Sequence, residues 1–161
     1  MIILIGKKRK LGKVMSELQI GDTYTVVKKI EDKDLLLYLG LTDDANPLYI
    51  QHDYASQTPY KHPIVPSVML FGMVSSIISM YLPGPGSHIT QHEMIFPKAV
   101  SHDAEVTITI EIIAIDEDSD KVALSVIGFD TKGDEIVNGK LYVSPPSNPN
   151  TLTASSLKTL F

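Results

Sequence analysis

A chain of 161 residues, 43% of them apolar, with a formal net charge of -5, is sized for one domain around one hydrophobic core. The negative balance argues against a nucleic-acid surface, which needs a concentrated basic face. The absence of cysteine excludes disulfides, thiol catalysis and thiolate metal sites, and fits a reducing, cytoplasmic setting.

No apolar run approaches the roughly 18 residues that a membrane-spanning helix requires. The opening MIILIGKKRK carries its charge after its apolar stretch, the reverse of a secretory signal. KKRK, residues 7–10, reads as a solvated charge run in preference to a nucleic-acid or membrane contact. YTVVKKI, residues 24–30, has strand character. KDLLLYLGLT then makes a helix with Asp32 or Asp34 near its start. Residues 43–66, punctuated by Pro47, Pro59, Pro63 and Pro66, read as loop. A longer helix runs from about Ser67 to Leu82, stopped by LPGPGS. It is apolar nearly all round and is expected to be buried.

The remainder reads as antiparallel sheet. EVTITIEIIAI, residues 105–115, puts Val106, Ile108, Ile110 and Ile112 on one face and Thr107, Thr109 and Glu111 on the other. VALSVIGFD, residues 122–130, and IVNGKLYVSPP, ended by Pro145-Pro146, follow after turns. One strand, then helices, then a meander of three or four strands is an α+β layout with helices on one side of the sheet. Gly72, Ser75, Ser76 and Ser79 recur at helical spacing as a stripe of small side chains. Such a stripe admits a close neighbour, either an extended ligand or the sheet itself. The domain is expected over 15–146, with an extension at 1–14 and a tail at 147–161, because MSELQIGD from Met15 resembles an ordinary start.

DDANPLYIQHDYA, residues 43–55, has the form of a loop holding a carboxylate, Asp44, before the stiff turn Asn46-Pro47. With PIVPSVML and LPGPGSHI, in this order, it resembles the MaoC-like hydratases and dehydratases of the hot-dog fold. Their corresponding stretches are Asp-x-Asn-Pro-x-His, Ile-Val-His-Gly and Leu-Pro-Gly-x-Gly-Ser. The match runs from about Thr42 to Ser87 and, more weakly, over most of the chain. It implies a long helix wrapped by a curved antiparallel sheet, and a homodimer with sheets joined edge to edge. It also implies a tunnel for an acyl thioester at the dimer interface. The implied reaction is reversible hydration of a trans-2-enoyl-CoA to an (R)-3-hydroxyacyl-CoA, or dehydration of a hydroxyacyl group on acyl carrier protein. No metal or redox cofactor is needed.

Water must lose a proton as it attacks Cβ, and the thioester oxygen gains charge that fixed donors must meet. By resemblance, Asp44 is the catalytic carboxylate, and Asn46 and Pro47 support the loop. Ile64, Val65, Pro66 and Gly72 fall among the substrate-binding positions, and Ser75 matches a serine near the catalytic pair. The N–H groups at the start of the central helix, around Ser67, receive the thioester oxygen.

Two positions depart from the pattern. Tyr49 stands where the histidine should be, and a phenol with an ordinary pKa of about 10 is a proton donor at neutral pH, not a ready base. Pro66 and Ser67 replace His-Gly. Ser67 keeps an N–H and also has the makings of a helix cap, while its side chain narrows the approach a glycine would leave open. His52 and His62 flank the motif as substitutes, whereas His88, His92 and His102 read as strand or turn residues. Two functions follow from the resemblance: a hydratase or dehydratase with altered or weak activity, or a silent acyl-CoA binder or non-catalytic subunit of a heteromeric dehydratase.

Overall fold

The computed structural model describes residues 11–147. The charge run at 7–10, the first ten residues of the expected extension and the tail beyond Ser147 lie outside them. After a short 3-10 turn, Met15–Glu17, come β1 (Thr23–Lys29), α1 (Asp32–Thr42), α2 (Pro47–Ile50), α3 (His52–Ser56) and α4 (Ser67–Met80). Four strands complete the chain: β2 (His88–Ile95), β3 (Glu105–Asp116), β4 (Lys121–Asp130) and β5 (Glu135–Ser144).

The strands form one antiparallel sheet in the order β1-β3-β4-β5-β2. The meander β3-β4-β5 is its centre. β1 closes one edge against β3, with Thr25 and Thr109 hydroxyls 2.8 Å apart across the pair. β2 crosses to the far edge and pairs with β5. The alternation read in β3 holds: Val106, Ile108, Ile110 and Ile112 are buried, while Thr107, Thr109 and Glu111 face outward. Val122, Leu124, Val126, Leu141 and Val143 extend that inner face.

α4 lies on this face through Leu70, Val74, Ile77 and Ile78. The spacing of four, three and one gathers them on one side, and each such burial contributes about 1.5–3 kcal/mol. The other side is open: Val68 is 60% and Met80 52% exposed. The expectation of a wholly buried helix thus holds for one face only. The small-residue stripe belongs to the open side. A Cβ built on Gly72 would meet nothing within 4 Å, so close packing on the sheet is not its reason. The helix also ends at Met80, before Leu82.

Residues 11–13 dock on the loop after α4. The N–H of Gly12 donates to the Pro85 carbonyl at 2.9 Å, and that of Lys13 to the Pro83 carbonyl at 2.8 Å. Lys13 Nζ reaches Asp22 at 2.8 Å. This crossing requires glycine twice. A Cβ on Gly12 would collide with the Pro83 carbonyl, and Gly84, at φ +107°, would place one 2.9 Å from Gly12 Cα.

Candidate active site

α1 delivers Asp44. Its start is held by the Asp34 carboxylate, which accepts from the Glu31 N–H at 3.1 Å. Its end turns through Asp43, left-handed at φ 55°, whose N–H donates to the Leu39 carbonyl at 2.8 Å. Asp44, half-buried, follows at once. Its N–H donates to Thr42 Oγ1 at 3.3 Å, and that hydroxyl donates to the Tyr38 carbonyl at 2.8 Å. The Tyr38 hydroxyl donates to Asp44 Oδ2 at 2.8 Å. The carboxylate is therefore tied to α1 by both side chain and main chain.

The stretch read as loop contains two short helices. Asn46 caps α2, its side chain accepting from the Leu48 N–H at 3.0 Å, and Pro47 occupies the first turn. α2 carries Tyr49, half-buried. Burial pushes the Tyr49 phenol pKa up, the Asp44 charge adds to the rise, and Asn46 opposes it. Tyr49 stays protonated throughout the physiological range.

Tyr49 lines a cavity of about 300 Å³ together with Tyr60, Ile64, Val65, Ser67 and Leu70. The segment Phe96–Val100 closes its other side. Four expected site residues, Tyr49, Ile64, Val65 and Ser67, thus share one space, and Asp44 acts on Tyr49 from beside it. Pro66 is the buried N-cap of α4, and Ser67 is the first helical residue, so the cap role considered for Ser67 falls to Pro66. In that first turn the Met69 N–H donates to the Pro66 carbonyl at 3.0 Å, which leaves the N–H groups of Ser67 and Val68 without an intrahelical acceptor, and the helix dipole makes this end favour negative charge.

Other expected residues lie elsewhere. Gly72 lines a separate apolar groove of about 450 Å³ between α1 and α4, with Leu37, Tyr38, Leu41, Met69 and Met73. Ser75, half-buried on α4, lines neither space.

The histidines divide clearly. His62 is engaged on both nitrogens: Nδ1 lies 2.6 Å from the Tyr60 carbonyl and Nε2 2.6 Å from Ser101 Oγ. A carbonyl only accepts, so Nδ1 carries the proton, and in the neutral ring Nε2 accepts from Ser101. His52 is exposed at a side pocket shared with Tyr49 and His102. His102, just before β3, has its Nδ1 3.8 Å from Asp32, while its Nε2 is buried without a partner. Burial pushes the His102 pKa down, against the pull of Asp32 and the Tyr49 main chain. Tyr38 and Tyr60 are the site neighbours that sequence reasoning missed.

A five-stranded antiparallel sheet packed on one long helix, with a cavity at that helix's N-terminus, is the hot-dog fold. The R-hydratase of Pseudomonas aeruginosa superposes with a TM-score of 0.79 at 23% identity, covering 85% of this chain and 88% of that one. The (R)-hydratase of Aeromonas caviae superposes with a TM-score of 0.77 at 28% identity, over 80% of this chain and 98% of that one.

In sequence, the (R)-specific enoyl-CoA hydratase of Aeromonas caviae is 28% identical over 129 residues, 80% of this chain and 96% of the relative. A 3-hydroxybutyryl-CoA dehydratase of Methylorubrum extorquens is 25% identical over 131 residues, 81% and 82% of the two. No protein-family model matches the chain. Over about four fifths of its length the chain thus resembles (R)-specific enoyl-CoA hydratases and a 3-hydroxybutyryl-CoA dehydratase, and it shares their hot-dog fold.

Proposed function

We propose that the protein is a hydro-lyase acting on acyl thioesters, interconverting trans-2-enoyl and (R)-3-hydroxyacyl groups carried on CoA or acyl carrier protein. The observation that carries this reading is the shared cavity of Tyr49 and Ser67, set beside Asp44 at the N-terminus of α4. In the hydration direction Asp44 accepts a proton from the water as its oxygen bonds to Cβ, and the protonated Tyr49 phenol gives a proton to Cα; the proton on Asp44 then passes to the phenolate and restores both groups. Dehydration runs the same transfers in reverse. The thioester oxygen turns to the N–H groups of Ser67 and Val68 at the start of α4. No metal or redox group enters these steps. The apolar groove beside Tyr38 suits an acyl chain.

The test is turnover of crotonyl-CoA and longer trans-2-enoyl-CoAs, followed as loss of the enoyl absorbance. The second reading, a silent thioester binder or non-catalytic subunit, is favoured by Tyr49 itself, because no imidazole lines the cavity. CoA-ester binding without turnover by the purified protein selects it.

A homodimer belongs to the proposal, with a heteromeric partner subunit as the alternative. Two observations support self-association. Six of the eight β2 residues are exposed along an open sheet edge. Leu37, Leu41 and Val68 form an apolar surface, 72%, 85% and 60% exposed. Among the described residues no helix is long and apolar enough to cross a membrane. A cytoplasmic setting and the domain limits 15–146 complete the proposal.

A further inference from the structure

We propose that Tyr38 is a positioning residue for Asp44, holding one carboxylate oxygen and leaving the other free to take a proton. This deepens the hydro-lyase reading and rests on it. Tyr38 sits in the last turns of α1, its ring along the apolar groove and its hydroxyl 2.8 Å from Asp44 Oδ2. The bond is part-buried, where exchange with water is limited. Thr42 holds the same carboxylate's main chain from below. Two soft torsions of Asp44 are thus fixed by groups six and two residues earlier on the same helix end.

The arrangement has a definite chemical effect. The Tyr38 bond takes up lone pairs on Oδ2 and leaves Oδ1 as the oxygen open to a substrate proton. The Asp44 bond in turn pushes the Tyr38 pKa up, so its hydroxyl remains a donor at any physiological pH. A base needs this combination: oriented, and with one oxygen free. A purely structural tie between α1 and the following loop is already provided by the bonds from Asp43 and Asp44 to the backbone and Thr42.

The experiment compares wild type with Tyr38→Phe, which keeps the ring against the groove and removes only the hydroxyl. The Asp44 carboxyl carbon is observed by NMR at pH 7 on protein labelled in its aspartates, with Asp44→Asn identifying the signal. The expected result is a displaced Asp44 carboxyl resonance in Tyr38→Phe, as the bond to Oδ2 is lost. On an enoyl-CoA substrate, kcat falls by about tenfold or more while KM changes by less than about twofold. An Asp44 resonance identical in the two proteins overturns the proposal whatever the activity. A displaced resonance with unchanged kcat overturns the role in the reaction. Wild type without turnover, but with the resonance still displaced in the variant, overturns the hydro-lyase reading and sustains the hold of Tyr38 on Asp44.

Discussion

Tyr49 and Ser67 line a single cavity, the one carried by α2 and the other by the first turn of α4. Eighteen positions separate them in sequence. The intervening chain spans α3, the tight turn at Lys61, φ 67°, and the buried Val65-Pro66 entry to α4. Asp44, at the end of α1, does not line this cavity but acts on Tyr49 through its charge. The candidate chemistry is therefore assembled from three short elements braced on one helix.

This geometry makes Tyr49→His informative. An imidazole at position 49 restores a group able to take and give protons near neutrality. Hydratase activity is expected to rise by at least about tenfold, the low end of what a positioned acid–base group supplies. The smaller ring also leaves space in the cavity and costs about 1–3 kcal/mol of stability. Enoyl-CoA turnover and melting temperature, measured together, separate the two effects. Unchanged or lower activity at a reduced melting temperature makes Tyr49 a packing residue.

His102 sets a direction for stability in acid. Its folded-state pKa lies below the ordinary value of about 6.5, because burial penalises the charged ring. Below that ordinary value the unfolded chain takes up a proton that the folded chain resists. The contribution of His102 is therefore complete above about pH 6.5 and is lost as pH falls through the lowered folded value. Urea midpoints of wild type and His102→Asn should differ most near pH 7.5 and converge toward pH 5. A difference that grows on acidification contradicts this account.

The docking of residues 11–13 predicts unequal costs for two glycines. Gly84 and Gly133 both have positive φ, +107° and +83°, so alanine strains either. Only at Gly84 does the new Cβ also meet backbone, at Gly12 Cα. Gly133→Ala should cost about 1–2 kcal/mol, and Gly84→Ala about 2–4 kcal/mol, because overpacking is added. Equal losses in denaturant melts mean that the 11–13 segment does not press on the loop in solution.

The open β2 edge and the exposed leucines of α1 predict an isologous dimer with two-fold symmetry. Light scattering at micromolar concentration should return twice the chain mass of 17.7 kDa. A monomer there removes the edge-to-edge arrangement.

How much of this was legible depended on periodicity. β3 alternates cleanly because one face is buried, so its inward set could be named residue by residue. β2 could not be bounded, because HITQHEMI lies at an edge with most side chains exposed on both faces, which erases alternation. α2 and α3, of four and five residues, are too short to show a helical period, and Pro47 read as a breaker although it opens α2. α1 read correctly as a helix, but its apolar run hid the exposure of Leu36, Leu37 and Leu41. The positions of Asp44, Tyr49 and Ser67 followed from motif resemblance. Tyr38 did not, because its link to Asp44 depends on the left-handed turn at Asp43, which folds the loop back on the helix. His102 was read as an ordinary strand or turn residue, since nothing in its neighbourhood in sequence signals a buried nitrogen.

The central claim is that Asp44 is the base of a working hydro-lyase. Its most direct measurement is the rate of enoyl absorbance loss with crotonyl-CoA and a longer trans-2-enoyl-CoA, for wild type and Asp44→Asn at equal folded concentration. The account predicts turnover by wild type, a fall of about 10²-fold or more in kcat for Asp44→Asn, and a melting temperature changed by only a few degrees. Equal rates in the two proteins, or no turnover by a wild type that still binds the CoA ester, would contradict it.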